Sequence, residues 1–334
     1  MDVTEPAQVE LTPEPASDRR TRRDGPFWLA IALAAGGVTA GLAAQPVFRA
    51  GVDLVHFGVT VVDRRGALVT DLGPEDFEVT EEGRPQRIAM FARGDAASAP
   101  LRLGLLFDTS GSMVDDIGMS RSAAIKFLNT MARAEDITLV DFDTEVRVAR
   151  HGQADFPRLV ERTRSRKPDG YTALYDALGV YLDGAGGQDG QKVLVVYTDG
   201  GDTRSVMHFG DVLDLVRAAD ATIYAVGFLQ HQSHAARMDQ RLRLQQIVEA
   251  TGGQAFFPAS IKELDGAYAK IAEELAARYT LGYPSAAPAD GAWRRVDIRV
   301  TRPDLKGAKV RTRKGYFAPL AERAGGGHDP RGPR

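Results

Sequence analysis

The chain has 334 residues, 43% hydrophobic and 26% charged, the composition of ordinary globular protein, with room for two or three domains. Its formal net charge of −3, without a basic stripe interleaved with aromatics, argues against nucleic acid as a partner. The absence of cysteine excludes disulfides, thiolate metal sites, a cysteine nucleophile and attachment through a lipidated cysteine.

Residues 1–25 read as a disordered tail, Pro-, Glu- and Ser-bearing at first and closing on Arg19-Arg20-Thr21-Arg22-Arg23. Residues 26–48 are uncharged and carry the apolar run Trp28-Leu29-Ala30-Ile31-Ala32-Leu33-Ala34-Ala35. A basic flank ahead of an apolar run is an export or anchor signal with the N-terminus inside, so the chain beyond about residue 45 is expected outside the cytoplasm. Gly41-Leu42-Ala43 suits a signal peptidase, whereas the length of the run suits a retained transmembrane helix, and both alternatives stand.

Residues 49–97 predict a β-rich flank. Val55, Phe57, Val59 and Val61 alternate with polar or small residues, a half-buried strand. Phe77-Glu78-Val79-Thr80 is a second strand, Glu82-Gly83 a hairpin turn, and the segment from Gln86 to Phe91 a third strand. A unit of roughly 45 residues is near the lower limit for independent folding and needs a partner surface.

Residues 98–277 alternate strand and helix. Strands are predicted at Leu103–Asp108, Ile137–Phe142, Val193–Tyr197, Thr222–Val226 and Gln254–Phe257, with Val146–Val148 as an antiparallel edge. Helices are predicted after Ile117, over Phe156–Arg164, and over Val206–Ala219, Arg241–Ala250 and Ile261–Ala277. This alternation specifies an α/β fold: a doubly wound, mostly parallel sheet covered on both faces. Residues 278–319 return to strands, at Tyr279–Tyr283, Arg294–Val300 and Lys309–Thr312. Pairing with the first flank would give a β-sandwich-like domain with the α/β domain inserted in it; two separate appendages are the alternative. Residues 320–334, rich in Gly, Pro and Arg, read as a disordered tail.

Three fragments carry the chemistry. Asp108-Thr109-Ser110-Gly111-Ser112 closes the first apolar strand, Thr198-Asp199-Gly200 closes another, and Thr172 stands in the loop ahead of Leu174. Ligands of open parallel sheets gather at the carboxyl ends of strands. Hard oxygen donors from two strand ends and a loop suit a small divalent cation such as Mg²⁺, or Mn²⁺.

These residues resemble the metal-ion-dependent adhesion site of the von Willebrand factor type A domain, found also in integrin I domains. The five side chains of that pattern are all here: Asp108, Ser110, Ser112, Thr172 and Asp199. The resemblance implies a Rossmann-like fold, hydroxyls of Ser110, Ser112 and Thr172 on the ion, Asp108 and Asp199 holding it partly through waters, and one position left for a partner's Asp or Glu carboxylate. It implies a non-enzymatic protein-binding or adhesion module, which the N-terminal export or anchor signal would place outside the cytoplasm. The flanks resemble the VWFA-related family described as acidobacterial, through Val69-Thr70-Asp71-Leu72, Glu82-Gly83-Arg84-Pro85-Gln86, Tyr279-Thr280-Leu281-Gly282-Tyr283 and Arg313-Lys314-Gly315-Tyr316-Phe317.

Two other functions stay open. One is a metal-independent scaffold whose β domain makes the contacts. The other is a Mg²⁺-dependent phosphoryl-transfer hydrolase with Asp108 as nucleophile; Ser110 stands where haloacid dehalogenase-type enzymes carry a second Asp, which removes the acid/base. No Gly-x-Ser-x-Gly marks a serine hydrolase and no Gly-x-Gly-x-x-Gly a dinucleotide site. His231 and His234 form the one close histidine pair and read as surface loop residues. Asp202 reads as a cap for a helix beginning near Ser205 or as a loop acid, and Asp115 and Asp116 as residues at the positive end of the helix after Ser112.

Overall fold

The structure, a computed structural model, describes residues 54–94, 100–131 and 134–320. The predicted N-terminal tail, the apolar segment 26–48 and residues 321–334 lie outside the described residues. In chain order come β1 (Leu54–Val62), β2 (Phe77–Glu81), β3 (Arg84–Gln86) and β4 (Met90–Arg93). The α/β portion follows, with β5 (Leu101–Asp108), α1 (Ile117–Thr130), β6 (Ala134–Phe142), β7 (Val146–Gly152), α2 (Phe156–Ser165), α3 (Leu174–Gly186), β8 (Gln191–Thr198), α4 (Phe209–Ala218), β9 (Ala221–Gly227), α5 (His234–Ala250), β10 (Ala255–Phe256) and α6 (Ile261–Ala277). The chain then returns to strands: β11 (Tyr279–Pro284), β12 (Trp293–Val300), β13 (Lys309–Arg311) and β14 (Gly315–Phe317).

The central sheet has six strands in the order β10-β9-β8-β5-β6-β7. All pairs are parallel except β6 with β7, which closes one edge antiparallel. Side chains alternate across a strand, so β5 serves two cores. Leu103, Leu105 and Phe107 enter the layer of α1, α2 and α6, while Leu106 enters the layer of α3, α4 and α5. Burial on both faces is why these strands read as continuous apolar runs. The fold is the doubly wound, mostly parallel sheet expected.

Strands from both ends of the chain form two further antiparallel sheets, β13-β1-β11-β4 and β14-β12-β2-β3. Their inner faces share one core, with Phe57, Val59, Leu72, Val79, Tyr279, Leu281, Tyr283 and Ile298 among its members. Buried aromatics here keep their hydroxyls bonded: Tyr279 donates to the carbonyl of Val69 (2.8 Å), and Tyr283 and Tyr316 donate to the same oxygen of buried Glu81 (2.8 and 3.0 Å). Each large side chain sealed in this layer contributes about 1.5–3 kcal/mol.

Three expectations shift. The predicted strand Gln86–Phe91 is two strands in different sheets, β3 ending at Gln86 and β4 starting at Met90; in between, the N–H of Ala89 is taken by the carbonyl of Gly282. The helix expected from Val206 starts at Phe209: the N–H groups of Val206 and Met207 are held in the preceding loop by the carboxylate of Asp176 (3.0 and 3.1 Å), and Asp211 closes the helix start by accepting from the N–H of His208 (3.0 Å). The helix expected from Arg241 starts at His234, where the Ser233 hydroxyl caps it by accepting from the N–H of Ala236. Among the described residues no helix is long and apolar enough to cross a membrane.

Candidate metal centre

β5 and β8 are parallel neighbours, with Phe107 level with Tyr197. Their carboxyl ends therefore deliver Asp108 and Asp199 to one rim of the sheet, sealed to 0% and 1% exposure. The strand-end turn after Asp108 is set by its own side chain: Oδ1 accepts from the N–H of Ser110 (2.9 Å), an Asx turn, and Oδ2 accepts from the hydroxyl of Thr198 (2.6 Å). Beyond it a short 3₁₀ turn, Gly111–Val114, places the Ser112 hydroxyl 3.0 Å from that of Ser110. Ser112 also acts on Asp199, lowering its carboxyl.

Thr172 comes from a loop bound to the first by backbone bonds. The N–H of Gly111 donates to Gly170 O (3.0 Å), and the N–H of Asp169 donates to Thr109 O (2.9 Å). Thr172 O in turn accepts from the N–H groups of Thr203 and Arg204 (2.9 and 3.0 Å), which ties this loop to the one after Asp199. Thr172 is buried; among the described residues no hydrogen bond joins its hydroxyl to the other four side chains. Direct bonds thus gather Asp108, Ser110 and Ser112, while Asp199 comes from the neighbouring strand end and Thr172 through its loop. Gly200, at φ 81°, lets the chain turn sharply after Asp199.

The site is electrostatically unsatisfied. Burial pushes the Asp108 carboxyl up to about 7, the charge of Asp199 adds to this, and the bonds from Ser110 and Thr198 only partly oppose it. Asp199 is likewise raised by burial, with the Ser112 and Gly201 bonds opposing and Asp116 adding. The largest charge effects on the pair come from acids, Asp199 on Asp108 and Asp116 on Asp199. Gln232 contributes a neutral donor, its Nε2 lying 2.9 Å from Asp199 Oδ2.

The von Willebrand factor type A domain model matches residues 103–270, half of the chain. The chain belongs to the von Willebrand factor type A domain family. No curated protein matches it. Among solved structures, a von Willebrand factor type A protein from Catenulispora acidiphila is similar at 12% identity and a TM-score of 0.45, over 83% of this chain and 76% of that one. The PilB minor pilin from Streptococcus sanguinis is similar at 14% identity and a TM-score of 0.44, over 54% of this chain and 62% of the pilin. The vWF domain of the type V pili tip protein Mfa5 from Porphyromonas gingivalis is similar at 11% identity and a TM-score of 0.43, over 53% of this chain and 96% of that domain. The chain spans less than two thirds of the length of the pilin.

In this von Willebrand A domain the donor set fits a hard divalent cation: two buried carboxylates that lack a basic partner among the described residues, beside paired hydroxyls. Among the described residues no three His, Asp or Glu side chains gather at one point. A cation here would depend on hydroxyl oxygens as well as on the carboxylates. Two residues around the site escape a sequence reading. Thr198 precedes Asp199 and looks like the last residue of a strand, and Gln232 sits in a polar loop with no motif around it. Asp202 caps a different helix from the one expected: it accepts from the N–H of Tyr175 in the first turn of α3 (3.0 Å), as well as from the Ser205 hydroxyl (2.6 Å). His231 is a half-exposed loop residue whose Nδ1 meets Asp116 at 3.0 Å, at the start of α1.

Proposed function

We propose that this chain is an extracytoplasmic, non-enzymatic protein-binding module of the adhesion type. In this reading it holds one Mg²⁺, or another divalent cation such as Mn²⁺, through Asp108, Ser110, Ser112, Thr172 and Asp199, and its partner offers an Asp or Glu carboxylate to the same ion. The observation that carries the reading is the pair of buried carboxylates at the ends of β5 and β8, set beside hydroxyls and without an ion-pair partner among the described residues. Two acids among five donors leave a divalent cation short of anionic ligands, which favours an incoming carboxylate. When bound, the ion supplies an electrophilic position for that carboxylate. The chain's own part is orientation. Thr198 and the N–H of Ser110 fix Asp108, and the N–H of Gly201 and Gln232 fix Asp199, as second partners fix metal ligands elsewhere.

Chemistry on Asp108 is disfavoured in this reading, because both its oxygens already accept hydrogen bonds and the side chain is sealed from solvent. The extracytoplasmic placement rests on the basic flank and apolar run ahead of residue 49, and membership of the acidobacterial-type VWFA-related group rests on the flanking motifs. The test is calorimetric titration of Mg²⁺ and Mn²⁺ into the full-length chain beside a folded Asp108→Ala variant, followed by partner capture in Mg²⁺ and in EDTA. Saturable uptake lost in the variant, and capture lost in EDTA, are expected. A folded wild-type chain that takes up neither ion, or a partner retained equally in EDTA, sinks the reading.

A further inference from the structure

The opposite end of the central sheet holds a second concentration of charge. A cavity of about 290 Å³ lies where the first residues of β8 and β9 meet β1 and β11 of the flanking sheets. Its charged lining is Lys192, Arg278 and Arg313, with Asp189 and Asp220. Asp220 already serves two of the cations, lying 3.2 Å from Arg313 Nη2 and 3.9 Å from Lys192 Nζ. Asp189 is exposed at the mouth.

Arg278 is the least satisfied member, although Arg313 Nε too lacks a partner among the described residues. It is 9% exposed, and its Nε and Nη1 have no hydrogen-bond partner among the described residues. The guanidinium packs against the backbone of β1: a Cβ built on Gly58 would fall 1.9 Å from Nη2, so a larger residue there would displace the guanidinium. Burial holds Arg278 below the ordinary guanidinium range; Tyr224 and Asp220 oppose this, and the charge of Arg313 adds to it. Glu274, the other nearby acid, is engaged by Arg311 and by the hydroxyl of Tyr224. Arg313 is held in place, its Nη2 donating to His56 O (2.6 Å) and its Cζ lying 4.7 Å from the centre of the Phe57 ring.

A buried guanidinium lacking an acceptor, with a second one beside it, is an unfavourable arrangement for the chain alone. An oxyanion relieves both features, since the planar fork of arginine matches phosphate and sulfate oxygens in pairs. The volume sits at the small end of ligand pockets. We propose that this cavity binds a small oxyanion of the phosphate or sulfate type, gripped by Arg278 and Arg313 with Lys192 adding charge. The site lies at the far end of β8 from Asp199 and stands apart from the metal reading.

The full-length chain is titrated with sodium phosphate, sodium sulfate and glycerol phosphate, each against sodium chloride at matched ionic strength, by calorimetry and by melting midpoint. Saturable binding of phosphate or sulfate with a Kd of about 1 mM or tighter is expected, with a rise in midpoint that chloride does not give. Glycerol phosphate binding as tightly as phosphate assigns the site to phosphomonoesters; its exclusion assigns it to the free ions. Arg278→Gln and Arg313→Gln are each expected to weaken binding at least about tenfold. Because Arg278 is deeply buried, Arg313→Gln carries the comparison if the first variant fails to fold. No saturable binding up to about 20 mM in the folded wild-type chain, or unchanged affinity in folded Arg313→Gln, overturns the proposal.

Discussion

The hydroxyl of Thr198 donates to Asp108 Oδ2 at 2.6 Å in a place water does not reach. Thr198→Val keeps the shape and removes that donor, leaving a buried carboxylate oxygen bare. A loss of about 1–3 kcal/mol is expected, measured by urea unfolding in EDTA. Asp108 itself sets a pH dependence. Its carboxyl is raised from the ordinary 3.8 to about 7 in the folded chain, so the folded state holds the proton more tightly than the unfolded one. Its contribution to the stability of the metal-free protein is therefore full below about pH 4, falls as the pH rises through about 7, and stays low above that. Melting in EDTA between these limits is expected to show a decline that Asp108→Asn lacks; parallel curves for the two proteins would refute it. The strand-end positions of Asp108 and Asp199 are legible from the apolar runs that precede them. Thr198 and Gln232 are not, because their bonds join residues 90 and 33 positions apart, and no local pattern encodes such a meeting.

Among the elements, those with strong periodicity are the ones a reader of the sequence can draw. β5, β8 and β9 are mostly apolar runs buried on both faces, and α6 repeats its buried Leu264, Tyr268, Ile271 and Leu275 at helical spacing. What goes astray are starts and breaks decided by distant partners. Asp176 holds the N–H groups ahead of α4, and Gly282 accepts from Ala89, which joins the chain after β3 to β11 in the other sheet. β14 is too short to announce itself, being three residues that pair with β12. The loop after β8 supplies a direct test of how firmly the rim is built. Gly200 has φ 81°, and a Cβ there would meet Gln240 Cβ and Leu244 Cδ1 at 3.1 Å. Gly200→Ala is expected to cost about 1–2 kcal/mol of stability and to weaken Mg²⁺ uptake by displacing Asp199; denaturant melts and calorimetry on the same preparation read both effects.

For the whole molecule, the two flanking sheets depend on one shared core. Phe57 is fully buried there, against Tyr283 with ring centres 6.1 Å apart and Tyr316 at 6.4 Å. Phe57→Ala is expected to cost about 3–5 kcal/mol, read as a shift of the unfolding midpoint of the full-length chain. A bound ion acts in the other direction: Mg²⁺ at about a hundred times its Kd is expected to add about 2.7 kcal/mol to the wild type and nothing to Asp108→Ala. The α/β portion leaves the flanking sheets after β4 and re-enters them at β11, and those two strands are hydrogen-bonded neighbours, with Arg93 level with Tyr279 and the N–H of Gly94 on Arg278 O. The excursion between them is thus a loop closed at its neck. Tension applied to the chain outside the flanking sheets runs through β1, β12 and their neighbours without crossing that loop. The rim carrying Asp108 and Asp199 stays free of load until the neck itself is sheared open, so a pull on the backbone reaches the flanking sheets first and the rim last.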